Sequence, residues 1–139
     1  MNNRTDLTYA YIKPENGMEN QEEIIQEIKN NDFEILGDKI YRYTKPGAKK
    51  LYKEHEGKGF YETLVKFTCS EDVRVLVLKK NNAVKAWRDF IGDTKNPAEG
   101  TIRHRFQIPN DGHKNVVHGS DCNERVPIEA LQVFPELAY

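Results

Sequence analysis

The chain has 139 residues with 21 basic and 22 acidic side chains, so its net charge of −1 provides no footprint for nucleic acid or a membrane surface. Its two cysteines form no C-x-x-C pair, which indicates neither a zinc site nor a redox dithiol, and no apolar run approaches the roughly 20 residues of a membrane span. The length, the polar first residues without a signal-peptide core and the cysteine usage predict one cytoplasmic domain over residues 1–139.

Strand and helix patterns alternate along the chain, with Gly, Pro or Asn at the breaks between them. Apolar alternation or continuous apolar runs predict four strands, at 7–12, 33–43 with an interruption at Gly37, 73–78 and 116–118. Helical apolar spacing predicts five helices, at 22–29, 48–54, 60–67, 82–91 and 124–134. Residues 93–114 are rich in Gly, Pro and Asn and predict an irregular segment.

This element order predicts the α+β class. It fits a four-stranded antiparallel sheet in a βαββαβ arrangement with helices packed on one face. The near-continuous apolar run 73–78 is typical of a central strand that is covered on two sides. Pro127 has to lie in the first turn of the last helix, or that helix begins later than residue 124, because a proline further inside would break it.

The run Asn115-Val116-Val117-His118-Gly119-Ser120-Asp121 places a histidine at the end of a strand. Glycine permits a sharp turn there, and the serine and aspartate supply oxygens before the next helix. A neutral imidazole held in this way can attack phosphorus or shuttle protons; the alternative is a histidine that is hydrogen-bonded beside a turn. Glu129 on the last helix could accept from Nε2–H of His118 and leave Nδ1 basic, or it could be a solvated helix residue.

Basic side chains from separate segments could together clamp a polyphosphate. Lys13 follows a buried strand directly, and Arg103 follows Gly100-Thr101-Ile102 in the irregular segment, where Thr94 adds a hydroxyl. Arg88 lies at the edge of an apolar helical stripe and points inward, so it needs an anion, either a structural carboxylate or a phosphate. Neither a P-loop nor a G-x-G-x-x-G motif is present, so phosphate binding would fall to side chains.

Two aromatic pairs follow in the middle of the chain. Tyr52 and His55 are three residues apart and share a helix face. Phe60 and Tyr61 are adjacent, so one could stack on a nucleobase while the other enters the core. Three histidines lack the strand-end setting and are interpreted as surface or locally hydrogen-bonded groups without metal-site spacing: His55, His104 and His113.

Together these residues resemble the nucleoside diphosphate kinase family. The matching motifs follow the family's order over nearly the whole chain: Ile12-Lys13-Pro14, Tyr52 with His55, Phe60, Asn82-Ala83-Val84 with Arg88, Asn96-Pro97, Gly100-Thr101-Ile102-Arg103, and Asn115 to Asp121 with Glu124 and Glu129. Each motif alone is weak, whereas N-x-x-H-G-S-D combined with G-T-I-R and I-K-P is highly specific. The resemblance implies a ferredoxin-like sandwich.

The resemblance also implies a two-step phosphoryl exchange. His118 would take the γ-phosphoryl group of a nucleoside triphosphate, typically ATP, and pass it to a nucleoside diphosphate. Further roles implied for the site are these: Lys13, Tyr52, Arg103 and Asn115 around the transferring group and the sugar, Arg88 and Thr94 on the distal phosphates, Phe60 on the base, and Ser120 and Glu129 orienting His118. Mg²⁺ would arrive with the nucleotide, with Asp121 nearby.

The family resemblance implies a homo-oligomer, either dimer-based, a tetramer or a hexamer. The near-neutral charge and the lack of a long apolar run predict no specific nucleic acid and no membrane partner. The alternative is a catalytically silent nucleotide-binding module of the same fold, but such a module would not need His118. The chain departs from the family pattern after Pro14, where the usual arginine and glycine are absent, and at Lys95, which separates Thr94 from Asn96-Pro97. The segment 104–114 is longer than usual and remodels a loop that contributes to subunit contacts in the family.

Overall fold

Four antiparallel strands form one sheet in the computed structural model, which describes residues 4–107 and 115–137. The strands are β1 (Leu7–Ile12), β2 (Glu34–Tyr41), β3 (Val73–Lys79) and β4 (Val117–Gly119). Their spatial order is β2-β3-β1-β4, so β3 is central, as its apolar run predicts. The predicted antiparallel sheet is confirmed, and β4 begins one residue later than the sequence indicates.

Helices connect the strands and follow the last one. Within the described residues they are α1 (Asn16–Glu19), α2 (Gln21–Asn30), α3 (Lys45–Leu51), α4 (Tyr61–Thr68), α5 (Ala83–Ile91), α6 (Ile102–Phe106) and α7 (Arg125–Val133), with short 3₁₀ turns at Lys53–His55 and Pro135–Leu137. Helix α3 begins earlier than predicted because Thr44 Oγ1 accepts a hydrogen bond from Gly47 N at 3.1 Å and caps its first turn. Pro127 lies in the first turn of α7, as predicted.

Helices α1 and α6 were not predicted. Each has four or five residues, which is too short for an apolar repeat to reveal a helix. Helix α6 lies inside the segment 93–114 that the sequence predicts as irregular, and Thr101 caps it by accepting from His104 N at 3.3 Å. The part of that segment at 108–114 lies outside the described residues.

The sheet carries an apolar core on both faces, so the prediction of helices on one face is wrong. On the first face, Tyr9 and Tyr11 of β1 and valines of β3 pack against α3, α4 and α7. On the second face, Ala10 and Ile12 of β1 and leucines of β3 pack against α2 and α5. Every residue of β1 is buried, and a strand that is apolar on both sides needs cover on both sides. No helix in the part of the chain that the structure describes has the length and apolar character to cross a membrane.

Strand β2 is interrupted where the sequence predicts it. Its register with β3 shifts between Ile35 and Gly37. A Cβ atom at position 37 would lie 2.9 Å from Cε1 of Phe134, so glycine lets the segment after α7 approach the strand closely. Strand β2 lies at one edge of the sheet and β4 at the other, and β4 carries the candidate nucleophile.

Candidate active site

His118 lies on β4, largely buried, with a carboxylate behind it. Its Nε2 atom is 3.0 Å from Oε1 of Glu129, and the Ser120 hydroxyl donates to that same oxygen at 3.0 Å. Arg125 Nε donates to the other carboxylate oxygen at 3.4 Å. Because a carboxylate accepts, this arrangement puts the ring proton on Nε2 and leaves the Nδ1 lone pair available. The predicted contact of Glu129 with His118 is confirmed.

Glu129 stays ionised although it is buried. Burial acts to raise the pKa of Glu129, but the charge and hydrogen bond of His118, the Ser120 hydroxyl and the Arg125 charge outweigh it and lower the pKa below its ordinary value. An ionised carboxylate on Nε2 stabilises positive charge that develops on the imidazole ring. The arrangement therefore suits a histidine that acts as a nucleophile through Nδ1.

A tight turn precedes the nucleophile. Val117 N donates to Asn115 O at 2.9 Å, and Val116 between them has a φ of 75°, which is the geometry of a γ-turn. A β-branched residue with positive φ is strained, at a cost of about 1–3 kcal/mol. Lys13 N donates to Val116 O at 2.8 Å and ties the turn to the end of β1. The predicted strand at 116–118 therefore starts only at Val117, because Val116 belongs to the turn.

Arg103 of α6 holds this turn from the other side. Its guanidinium donates to the backbone oxygens of Asn115 at 3.1 Å, Gly92 at 2.8 Å and Val117 at 3.0 Å. Burial, followed by the nearby charge of Arg88, lowers the pKa of Arg103 to about 10. Three of its five N–H donors thus bind the protein, so Arg103 fixes the backbone in addition to the predicted role toward phosphate.

Lys13 lies at the end of β1 with 4% of its surface exposed. Burial and the charge of Arg103 lower the pKa of Lys13 to about 7. Its Nζ atom is 5.9 Å from the centre of the Tyr52 ring, which is itself buried. The structure therefore brings Lys13, Arg103 and Tyr52 together near the nucleophile, as the sequence predicts.

An open pocket of about 340 Å³ lies between α5 and α6. Three of the four residues of the predicted polyphosphate clamp line it together, namely Arg88, Thr94 and Arg103, whereas Lys13 is not among the lining residues. The inward orientation predicted for Arg88 is wrong: its side chain is half-exposed, and Nη1 pairs with Asp121 Oδ1 at 3.0 Å. Asp121 is thus the structural carboxylate of the two anions considered for Arg88.

Aromatic side chains line the approach from α3 to α4. The Tyr52 and His55 rings are 6.2 Å apart, and the His55 and Phe60 rings 5.3 Å apart. Phe60 is 42% exposed whereas Tyr61 is buried, so the prediction that one of the pair enters the core is confirmed. His55 Nδ1 lies 3.1 Å from Lys58 Nζ, a local hydrogen bond as expected, and His104 is exposed. His113 lies outside the described residues.

Two residues beside His118 were not identified from the sequence. Helical apolar spacing assigns Trp87 only to the apolar stripe next to Arg88, yet its Nε1 donates to His118 O at 3.1 Å. The sequence pattern indicates for Tyr11 only a place in strand β1, yet its ring stacks on that of His118 with centres 5.2 Å apart. A fully buried tryptophan and an aromatic residue in an apolar strand were the only signals.

Gly119→Ala is expected to lower stability by about 1–3 kcal/mol, because the new Cβ would overlap the ring of Trp87. That Cβ would lie 2.7 Å from Trp87 Nε1, and Trp87 is fully buried. Urea denaturation of the purified variant measures the change. Gly59→Ala is the matched control, because no atom of the residues that the structure describes lies within 4 Å of a Cβ there. Equal stability of the two variants would contradict the close packing.

The sequence and the fold of this chain are similar to those of known proteins. Residues 6–138 match the family model described as nucleoside diphosphate kinase. The chain is 38% identical over 135 residues to a nucleoside diphosphate kinase of Histophilus somni, covering 94% of each protein. It is also 36% identical over 136 residues to a thioredoxin domain-containing protein 3 homolog of Heliocidaris crassispina, of which it spans 16%. The structure of a halophilic nucleoside diphosphate kinase from Halobacterium salinarum in complex with CDP superposes with a TM-score of 0.83 at 30% identity, covering 94% of this chain and 88% of that one.

Proposed function

The chain belongs to the nucleoside diphosphate kinase family and is a nucleoside-diphosphate kinase, and we propose that it works through a phosphohistidine on His118. In the first half-reaction, Nδ1 of His118 bonds to the γ-phosphorus of a nucleoside triphosphate, typically ATP. The bond from that phosphorus to the β,γ-bridging oxygen breaks, and the diphosphate leaves. A terminal β-phosphate oxygen of a second nucleoside diphosphate then attacks the phosphohistidine and the N–P bond breaks, so one site runs a ping-pong exchange.

The contact between His118 Nε2 and Glu129 carries this proposal. The imidazole gains positive charge as Nδ1 bonds to phosphorus, and a buried carboxylate on the opposite nitrogen stabilises that charge. Ser120 keeps the carboxylate in place by donating to the oxygen that faces His118. A catalytically silent binding module does not require a carboxylate on the histidine ring. The His118–Glu129 contact therefore favours an enzyme over a silent module.

We propose that the nucleotide lies between the exposed aromatic ring and the basic pocket. Phe60 stacks on the base without reading its edges, which favours tolerance of different bases. Arg88 and Thr94 hold the distal phosphates from the pocket that they line. The residues proposed around the transferring group and the sugar are Lys13, Tyr52, Arg103 and Asn115.

Mg²⁺ is proposed to enter as part of the nucleotide substrate. In residues 4–107 and 115–137, no group of three His, Cys, Asp or Glu side chains is arranged to hold a metal ion. The phosphate oxygens are hard ligands that Mg²⁺ prefers, and the ion usually keeps several waters. Asp121 beside Arg88 is the carboxylate that we propose near the ion, through water.

Incubation with γ-labelled ATP tests the proposed mechanism. The protein is expected to become labelled in an acid-labile, base-stable form that discharges onto added GDP. Label that survives acid would indicate a different acceptor, and label that GDP cannot remove would contradict the ping-pong exchange. Absence of any label in the presence of Mg²⁺ would favour the silent binding module.

Arg88→Gln is expected to weaken ADP binding by about 1–3 kcal/mol, because a charge-assisted hydrogen bond to phosphate is lost. Isothermal titration at fixed salt concentration measures the affinity. Arg42→Gln is the matched control: the Arg42–Asp72 pair has exposure similar to that of the Arg88–Asp121 pair but lies outside the pocket. Unchanged ADP affinity in the Arg88 variant would contradict the clamp.

Lys13 is expected to make ADP binding depend on pH. The pKa of Lys13 is lowered to about 7, so the ammonium is present below pH 7 and is lost above it. The affinity advantage of the wild type over Lys13→Met should therefore be largest at pH 6 and fall above pH 7, by up to about tenfold per pH unit. Comparing the two proteins at each pH removes the titration of the nucleotide itself, and a constant ratio from pH 6 to pH 8.5 would overturn the assignment.

We also propose that the chain is one domain over residues 1–139 and assembles as a dimer-based homo-oligomer, a tetramer or a hexamer. Edge strand β2 supports assembly, because Leu36 and Ile40 on it are 42% and 55% exposed. Sedimentation analysis of the wild type and of Ile40→Lys tests it, since a monomeric wild type would exclude assembly.

Free Cys69 and Cys122 support the proposed cytoplasmic location.

A further inference from the structure

A tyrosine of β1 forms a flat support under the nucleophile. The pairing of β1 with β4 places Tyr11 directly opposite His118, so both side chains point to the same face of the sheet. The two rings have centres 5.2 Å apart and planes inclined by 23°, which is a stacked arrangement. Tyr9 and Tyr52 also approach the imidazole, at 6.1 Å and 5.8 Å, but with tilted or perpendicular rings.

The hydroxyl of this ring has a buried hydrogen-bond partner. The hydroxyl of Tyr11 forms a short hydrogen bond with that of Tyr52, and both side chains are buried. Burial, against hydrogen bonds with Tyr52 and Thr68, raises the pKa of Tyr11 to about 12, so its phenol is neutral at physiological pH. Tyr11 therefore offers His118 an uncharged ring face in a fixed orientation.

We infer that Tyr11 is a positioning residue for phosphotransfer, which fixes the plane of the His118 ring and stabilises the positive charge that the ring gains. The inference rests on the proposed phosphohistidine mechanism. An aromatic face within about 6 Å attracts a cation, so the stack favours the phosphorylated imidazole over the neutral one. Glu129 acts on the ring edge at Nε2 whereas Tyr11 acts on its face, and the two contacts together leave the ring little freedom to turn.

Two substitutions of Tyr11 separate the ring face from the hydroxyl. Tyr11→Phe keeps the stack, and we expect its single-turnover phosphorylation by ATP within about threefold of the wild type. Tyr11→Leu removes the stack, and we expect that rate to fall about tenfold while the ADP dissociation constant stays within about twofold. A fall in the chemical step without a loss of binding is what distinguishes positioning of the nucleophile from a general loosening of the site.

Tyr43→Leu is the matched control for the lost volume. Tyr43 is buried in the same cluster, its hydroxyl bonds to that of Tyr9, and its ring packs on Tyr11 and Tyr41. Tyr43→Leu removes the same atoms as Tyr11→Leu from the same core cluster, so it leaves a cavity of similar size. We expect the phosphorylation rate of the Tyr43→Leu variant to stay within about threefold of the wild type. If Tyr11→Leu does not fold, Tyr11→Ile, which suits a strand, provides the same comparison.

Three results would overturn the inference. They are a Tyr11→Leu rate equal to that of the wild type, a Tyr11→Leu rate no lower than that of Tyr43→Leu, and a Tyr11→Phe rate as low as that of Tyr11→Leu. Wild-type protein is labelled in parallel. If the wild type takes no label, the phosphohistidine mechanism fails, whereas normal wild-type labelling with unaffected Tyr11 variants removes only the role of Tyr11.

Discussion

His118→Ala is expected to abolish transfer of phosphate from ATP to GDP, with a loss of at least about a thousandfold, because the variant lacks the atom that would bond to phosphorus. The fold should survive. Glu129 keeps its hydrogen bonds from Ser120 and Arg125, so its charge retains partners in the variant. We expect a stability cost of about 1–3 kcal/mol from the lost hydrogen bond and ring packing.

Labelling with γ-labelled ATP measures the loss, and circular dichroism with urea denaturation verifies the fold. His104→Ala is the control, because His104 is an exposed histidine on α6. It should label and discharge like the wild type. A folded His118→Ala protein that still forms an acid-labile phosphoprotein would show that another residue accepts the phosphoryl group.

Arg103→Met is expected to have the largest effect on stability, a loss of about 3–5 kcal/mol. The backbone oxygens of Gly92, Asn115 and Val117 would each lose one donor in a largely buried place, although Asn115 O would keep its bond from Val117 N. The strained turn at Val116 would lose its support at the same time, so His118 should shift and phosphotransfer should fall more than a hundredfold.

Urea denaturation measures the stability and a coupled phosphotransfer assay measures the activity. Arg105→Met is the matched control, since Arg105 lies on the same short helix but makes ion pairs with Glu23 and Glu27 at the surface. Its loss should cost about 1 kcal/mol or less. Arg103→Lys should fall between the two, because an ammonium keeps the charge but cannot span three carbonyls. Equal stability of Arg103→Met and Arg105→Met would contradict the assigned role.

The elements that the sequence predicts best are those with a strong local signal. The residues of β1 are those predicted, and β3 is central as its buried apolar run from Val75 to Leu78 indicates. The contact of Glu129 with His118 could also be predicted, because α7 follows β4 after a short connection and must turn back on it. In each case neighbouring residues in the chain determine the outcome.

The features that the sequence could not predict depend on distant partners. The orientation of Arg88 was wrong because a position at the edge of an apolar stripe can turn either way, and Asp121 decides it. The carbonyl contacts of Arg103 depend on a γ-turn at Val116, and no sequence pattern marks such a turn at a valine. Tyr11 stacks on His118 only because of the register between two strands that are far apart in the chain.

Within residues 4–107 and 115–137, strand β4 has three residues and one strand neighbour, so its backbone ladder gives it little resistance to fraying. Side chains of three helices hold it instead. The Trp87 indole of α5 and the Arg103 guanidinium of α6 donate to backbone oxygens of β4, and the Glu129 carboxylate of α7 contacts the His118 ring. Strand β4 cannot separate from the sheet alone, because its release requires α5, α6 and α7 to separate from it as well. Thermal inactivation of the enzyme should accordingly coincide with melting of the whole domain and not precede it.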